Sequence, residues 1–426
     1  TRVRSSAASD VYKRQEQNIT IRKNRITAAS TQIDVKTAKA ALFPSLSFST
    51  SQQVVNRPYQ ETSSRVSGSE IISSNSKTSY NGNYGLNASW TLYNGNKRLK
   101  TIQQEKLNNQ VAELDVATSE NNIQESIAQV YIQILYAAES VKVNESTLQV
   151  SIAQRDRGQE LLNAGSIAKS DFAQLEAQVS TDRYQLVTAQ ATLEDYKLQL
   201  KQLLELDGEN EMNIYLPALS DENVLAPLPT KKDVYIRALS LRPEIEASKL
   251  NVEASELGIG IAKSSYLPTI SLSAGIGTNH TSGSDFTFGE QVKNGWNNSI
   301  GLSVSVPIFN NRQTKSAVQK AKLQYETSML SLLDEQKTLY KTIEGLWLDA
   351  NSAQQRYAAA NEKLKSTQIS YELISEQFNL GMKNTIELLT EKNNLLQAQQ
   401  EQLQAKYMAI LNMQLLKFYQ GDQLAI

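Results

Sequence analysis

The chain has 426 residues, 43 basic and 44 acidic side chains, a net charge of -1 and no cysteine. That balance excludes a basic nucleic-acid footprint and an acidic tail, and without cysteine there is no disulfide and no thiolate metal site. No run of about 18 apolar residues is present, so any passage through a bilayer must use strands.

Thr1 to Gln15 is polar and net basic, lacks the apolar core of a secretory signal and fits nothing that follows. Residues 1–15 are therefore expected to be a non-native or disordered leader. Ile19 to Ala41 suits a helix that Phe43-Pro44 ends. Ser45 to Val55 alternates Leu46, Phe48 and Thr50 against Ser45, Ser47, Ser49 and Ser51, which predicts a strand. Asn56 to Ser79, rich in Ser with Pro58 and Gly68, reads as a long exposed loop. Tyr80 to Tyr93 is the most informative stretch. One face carries Tyr80, Tyr84, Leu86, Ala88, Trp90 and Leu92, and the other Asn81, Asn83, Asn87, Ser89 and Thr91. Neither face bears a charge. A soluble sheet dresses its wet face with Lys, Glu or Arg, whereas Ser, Asn and Gly opposite an apolar face suit the wall of a water-filled membrane barrel.

Asn96 to Arg157 contains no Gly or Pro and predicts a helix of roughly 90 Å. Ile123, Ile127, Val130, Ile134 and Val141 follow coiled-coil spacing. Asn163-Ala164-Gly165-Ser166 breaks it. Ser166 to Leu206 then returns as the second arm of a hairpin, with a seam of Leu175, Val179, Leu186, Ala189, Leu193, Tyr196, Leu200 and Leu203. Asp207 to Pro243 holds Pro217, Pro227, Pro229 and Pro243 and reads as an irregular belt with a small helix near Lys232 to Leu239. Glu244 to Ser265 looks helical and ends at Leu267-Pro268.

The plan then recurs. Thr269 to Thr278 alternates Ile270, Leu272, Ala274 and Ile276 against Ser271, Ser273, Gly275 and Gly277. A Gly- and Asn-rich loop with the only histidine, His280, leads to Ser299 to Phe309, a second alternating strand. Arg312 to Leu380 and Met382 to Gln420 form another long hairpin about Gly381, with Leu389, Leu396, Leu403 and Ile410 spaced by sevens. Gly165 and Gly381 are 216 residues apart, as are Asn94 and Asn310; Pro44 and Pro268 differ by 224, and the excess falls in the inter-strand loops. A repeat this long indicates duplication of a whole domain. The expected organisation is a leader at 1–15, a first repeat at 16–206, a linker at 207–243, a second repeat at 244–420 and a tail at 421–426.

Four strands cannot close a membrane barrel, since single-chain barrels begin at about eight, and open edges in lipid leave amides unpaired. Other copies must complete the wall. Two would give eight strands and three twelve, and the strand count does not choose.

The tandem repeat, the Leu-Phe-Pro and Tyr-Leu-Pro that precede strands, the Leu-Arg-Pro-Glu at Leu241 to Glu244, the Pro-Ile-Phe-Asn at Pro307 to Asn310 and the two Gly-centred tips together make the chain resemble the TolC-type outer-membrane efflux protein family from about Ile19 onward. The resemblance implies an α+β membrane protein whose protomer gives four strands to a shared 12-stranded transmembrane β-barrel. Long coiled-coil hairpins would form a periplasmic α-barrel with a belt around its middle. It further implies a homotrimer in outer-membrane lipid that serves as the exit duct of a tripartite efflux or type I secretion system. The partners would be a periplasmic adaptor (membrane fusion) protein and an inner-membrane transporter of the RND or ABC type.

The family constricts its periplasmic mouth near the two tips. The matching positions here are Ser170 and Asp171 beyond Gly165, and Phe378, Lys383, Glu387 and Thr390 about Gly381. Phe378 stands where the family has Tyr and donates no hydrogen bond; one acid of the family pattern is lost at Thr390. Asp171 and Glu387 read either as rings of carboxylates in a cation-selective constriction or as acids that cap helix N-termini. Lys383 reads as a latch to a neighbouring helix or as a solvated tip residue. Trp90, Tyr93, Trp296 and Phe309 read as interfacial aromatics, with ordinary sheet packing as the alternative. The sequence offers no nucleophile–base–acid set, phosphate-cradling loop or clustered metal ligands, so no enzyme, cofactor, metal or nucleic-acid partner is expected. The competing reading is a soluble periplasmic coiled-coil adaptor or scaffold.

Overall fold

A computed structural model describes residues 18–59, 63–67, 70–74, 77–206, 224–422 and 424. The expected leader at 1–15 lies outside them, as does the part of the belt at 207–223. The chain forms two compact units. Among the described residues, one takes in those within 18–28, 112–248 and 331–424, and the other those within 29–111 and 249–330.

The second unit holds the sheet. After helix α1 (Ile19–Ala40) come β1 (Ser45–Asn56), β2 (Ser63–Ser67), β3 (Glu70–Ser74) and β4 (Thr78–Asn94). The long helix α2 (Lys97–Asn163) and its return α3 (Lys169–Leu203) follow. The linker supplies α4 (Lys231–Leu241), and then come α5 (Pro243–Ser264), β5 (Thr269–Thr281), α6 (Phe288–Asn294), β6 (Asn297–Ser305), α7 (Gln313–Asn379) and α8 (Thr385–Tyr419).

Four strands form one antiparallel sheet in the order β1-β4-β5-β6, so the two repeats join through β4 and β5. The register aligns apolar residues across every pair: Phe48 opposite Leu86, Leu86 opposite Ile276, Leu272 opposite Leu302, Ile270 opposite Val304. The other face aligns Ser47 with Asn87, Asn87 with Gly275, Ser89 with Ser273 and Ser271 with Ser303. None of the four strands contains Lys, Arg, Asp or Glu. A one-residue slip would mix the two faces, so the pattern itself fixes the pairing. Among the described residues the outer strands β1 and β6 each pair on one side only.

The structure departs from the sequence reading in three places. The stretch expected as an open loop between β1 and β4 carries a small hairpin, β2 with β3. The Gly- and Asn-rich loop carries α6, and His280, expected in that loop, lies in β5, which runs on past Thr278 to Thr281. The last strand ends at Ser305 rather than Phe309, because Pro307 has no amide for a ladder, and Ile308 and Phe309 lie exposed beyond it.

In the first unit the core lies between the paired helices, and one of its clusters takes in α4 and the start of α5. Ile132, Leu135, Tyr357, Tyr407, Ala409 and Leu411 form one buried cluster. Val234, Ala238 and Ile245 join Leu339, Ile343 and Leu416 in another. Each fully buried aliphatic side chain contributes about 1.5–3 kcal/mol. A third cluster sets Ile127 and Ile134 of α2 against Leu200 and Leu204.

Candidate functional site: a two-faced sheet and two helical tips

The sheet is the first candidate surface. One face presents Ser, Asn, Thr and Gly, the other a continuous field of Leu, Ile, Val, Phe and Trp, with Phe48, Ile300 and Leu302 all strongly exposed. Trp90 lies on the apolar face, and its indole Nε1 donates to the Leu42 carbonyl at 2.7 Å. Tyr93 reaches that face through the only register shift in the β4–β5 pairing. Leu92 has no partner there and Tyr93 sits opposite Ile270, a β-bulge that turns the ring from the polar row to the apolar one. Trp296 stands just ahead of β6, and Phe309 beyond its end.

The helical tips are the second. Each long helix ends in the same motif. The Gly165 amide donates to Leu162 and the Ser166 amide to Leu161, at 3.0 and 2.8 Å. At the other tip Gly381 donates to Phe378 and Met382 to Gln377, at 2.9 and 2.8 Å. This is the Schellman pattern, which demands a left-handed residue, and the two glycines have φ of 73° and 75°. Phe378 is thus the counterpart of Leu162 and is 3% exposed, packed inward rather than presented at the tip.

The returning helices start differently. At α8, Asn384 Oδ1 accepts from the Glu387 amide at 2.9 Å, and Glu387 Oε2 accepts from the Asn384 amide at 3.3 Å, a full capping box. At α3 the cap residue is Ala168, which has no side-chain acceptor. Only the Asp171 half remains, with its carboxylate accepting from the Ala168 amide at 3.4 Å. Lys383 pairs with Glu387, four residues on, at 2.5 Å. The lysine first and the Asn384 amide second hold the Glu387 carboxyl below the usual glutamate range. Within one chain, then, both acids cap helices and Lys383 is tied to the first turn of α8. Ser170 is exposed in the first turn of α3.

Two charged clusters of the first unit bring together residues that the sequence reading does not connect. Lys392 of α8, Asp182 of α3 and Ser151 of α2 bond one another, and all three are almost fully buried. Gln178 Nε2 donates to the free Asp182 oxygen at 2.9 Å. Burial pulls the Lys392 ammonium below the usual lysine range, against the pull of Asp182. A signal was available: Asp182 falls between Val179 and Leu186, and Lys392 between Leu389 and Leu396, so each charge interrupts a hydrophobic seam. In the second cluster Arg242 donates to Glu244 at 2.7 Å and to Glu125 at 3.2 Å, and lies 4.3 Å from the Tyr419 ring centre. This is the arginine of the Leu-Arg-Pro-Glu stretch. Burial raises the Glu125 carboxyl, and Arg242 only partly offsets it. The Tyr419 hydroxyl is pushed up to about 12, by burial first and then by Glu125.

An uncharged two-faced sheet with open edges, in a chain of paired long helices, defines the class: a strand-spanning outer-membrane protein. The chain belongs to the outer membrane efflux protein family, which it matches over residues 11–205 and 234–421. It is similar to the outer membrane efflux protein BepC of Brucella suis biovar 1, 24% identical over 290 residues, covering 68% of this chain and 60% of that protein. It is also similar to the outer membrane protein TolC of Escherichia coli K12, 23% identical over 311 residues, 71% of this chain and 62% of that one. The alignments thus span about six-tenths of those relatives. The crystal structure of CusC superposes with a TM-score of 0.81 over 97% of this chain and 91% of that one, at 18% identity, a likeness of fold.

Proposed function

We propose that this chain is one protomer of a trimeric exit duct that passes small molecules or polypeptides from the periplasm, or from an inner-membrane pump, to the exterior. The observation that carries this reading is the sheet: four uncharged strands, one face apolar and one polar, with both edges unpaired. In lipid each unpaired edge amide costs several kcal/mol. Because four strands alternate in direction, β6 of one copy runs opposite to β1 of the next, and copies can join by ordinary antiparallel pairing. Three copies give the 12-stranded barrel that the family resemblance favours. The long hairpins would continue as the periplasmic duct and meet an adaptor protein and an inner-membrane transporter of the RND or ABC type. A soluble adaptor or scaffold would also use long hairpins but has no use for an exposed apolar sheet face.

Planar-bilayer recording of the purified protein tests the reading: discrete channel conductance is expected, and a water-soluble monomer without conductance contradicts it. The same recording tests the tips. If Asp171 and Glu387 line the constriction as well as cap their helices, Asp171→Asn with Glu387→Gln lowers cation selectivity severalfold and weakens block by multivalent cations. An unchanged reversal potential in a salt gradient would remove both from the constriction. Lys383 and Ser170 belong to the same proposed mouth, with Phe378 as its packed support.

A further inference from the structure

Helix α6 follows β5 and folds back onto the sheet, and the face it covers is the apolar one. Thr278 and His280 alternate with Ile270, Leu272, Ala274 and Ile276, so their side chains share that face. Thr278 Oγ1 donates to the Val292 carbonyl of α6 at 2.7 Å. The His280 ring lies 5.0 Å from Phe288 of α6, 5.2 Å from Tyr80 and 5.9 Å from Tyr84. Directly opposite His280 in the ladder is Gly82, where a Cβ would lie 2.3 Å from the imidazole; the strand keeps a glycine there to let the ring lie flat. Gln291 of α6 accepts from the Thr281 amide at 2.8 Å, and a Thr287–Glu290 capping box starts the helix.

The packing leaves aromatic rings uncovered. Phe288 and Trp296 are each 57% exposed and Phe286 is 47% exposed, while Asp285, Glu290 and Lys293 complete the water-facing side. The height is informative. From Ile270 to His280 the strand rises about 34 Å, or about 24 Å along the membrane normal at a tilt of about 45°. The apolar band of a membrane barrel is about 25 Å tall. Aromatic rings at its rim, beside charged residues, match the headgroup–acyl boundary, where amphipathic aromatics partition.

We infer that α6 and the residues flanking it form an interfacial segment: Phe286, Phe288 and Trp296 lie in the lipid headgroup–acyl boundary on the outside of the wall, held there by the His280–Tyr80–Tyr84 stack. This rests on the exit-duct reading, in which the apolar face meets lipid. Continuity of the rings with that face selects lipid as the occupant. Since the chain has no cysteine, single nitroxide labels can be placed at Phe288→Cys or Trp296→Cys, with Ile300→Cys and Lys293→Cys as references. The full-length protein is reconstituted in phosphatidylethanolamine–phosphatidylglycerol vesicles, and collision with oxygen is compared with collision with a water-soluble nickel chelate. The expected oxygen-to-nickel ratio at 288 and 296 is severalfold above that at 293 and below that at 300. Nickel-dominated collision at both, with position 300 still oxygen-dominated, overturns the inference alone. Labels shielded from both reagents would mean that protein, such as a second copy, covers the rings, and would overturn it too. Nickel access at position 300 itself would instead overturn the exit-duct reading.

Discussion

Replacing Lys392 by methionine is expected to cost the folded protein about 3–5 kcal/mol, the range for removing one partner of a buried ion pair. Methionine keeps most of the stem volume but leaves the Asp182 carboxylate, 1% exposed, with only Ser151 and Gln178 as partners. The double replacement Asp182→Leu with Lys392→Met removes the orphaned charge and is expected to recover most of the loss, because a buried pair adds little over well-packed apolar residues. Urea unfolding of the detergent-solubilised protein, followed by circular dichroism, measures both. A single variant within about 1 kcal/mol of the parent, or a double variant no better than the single, would contradict this. The cluster occurs once rather than twice. At the repeat offset of 216, Lys392 corresponds to Glu176 and Asp182 to Ala398. It therefore ties α8 to the first hairpin in one register, the use to which polar residues in helical seams are put.

The second large effect is expected at Arg242. Arg242→Met leaves Glu125 and Glu244 together in a half-dry site beside Tyr419, and a loss of about 3–5 kcal/mol is expected at neutral pH. The pH dependence has a definite sign. Burial already raises the Glu125 carboxyl while Arg242 is present, and without the guanidinium it rises further. An acid whose folded pKa exceeds its unfolded one contributes stability below the unfolded value and loses it as pH rises through the folded value. The deficit of the variant should therefore shrink as pH falls from 7 toward the ordinary glutamate range near 4.5. A deficit that is flat or grows over that interval would show that lost stacking on Tyr419, not stranded charge, is the cause.

Much of this was written in the sequence because strands and coils announce themselves by period. Tyr80 to Tyr93 shows both its faces, and the absence of charge identifies the solvent on each. The tip glycines and the acids after them are likewise local signals. The β4–β5 contact joins residues nearly 200 positions apart, and local alternation does not name a strand's distant neighbour. Helix α6 was hidden in a Gly- and Asn-rich stretch although Thr287-Phe-Gly-Glu290 spells a capping box. Lys392 and Asp182 stand at seam positions in the sequence, but a hydrophobic period does not say which distant charge each will meet. The Leu-Arg-Pro-Glu stretch was visible, whereas the distant Glu125 that completes its arginine site was not.

Edge pairing between copies is the claim on which the rest depends, and cross-linking reads it directly. In a cysteine-free chain, Ser303→Cys on β6 is combined in turn with Ser47→Cys, Ser49→Cys or Ser51→Cys on β1, which scans the unknown register of the joint. After mild oxidation in membranes, at least one pair is expected to give reducible dimers and trimers and nothing larger. Monomer alone at every pair, or a ladder running past three copies, would contradict a wall closed by three sheets.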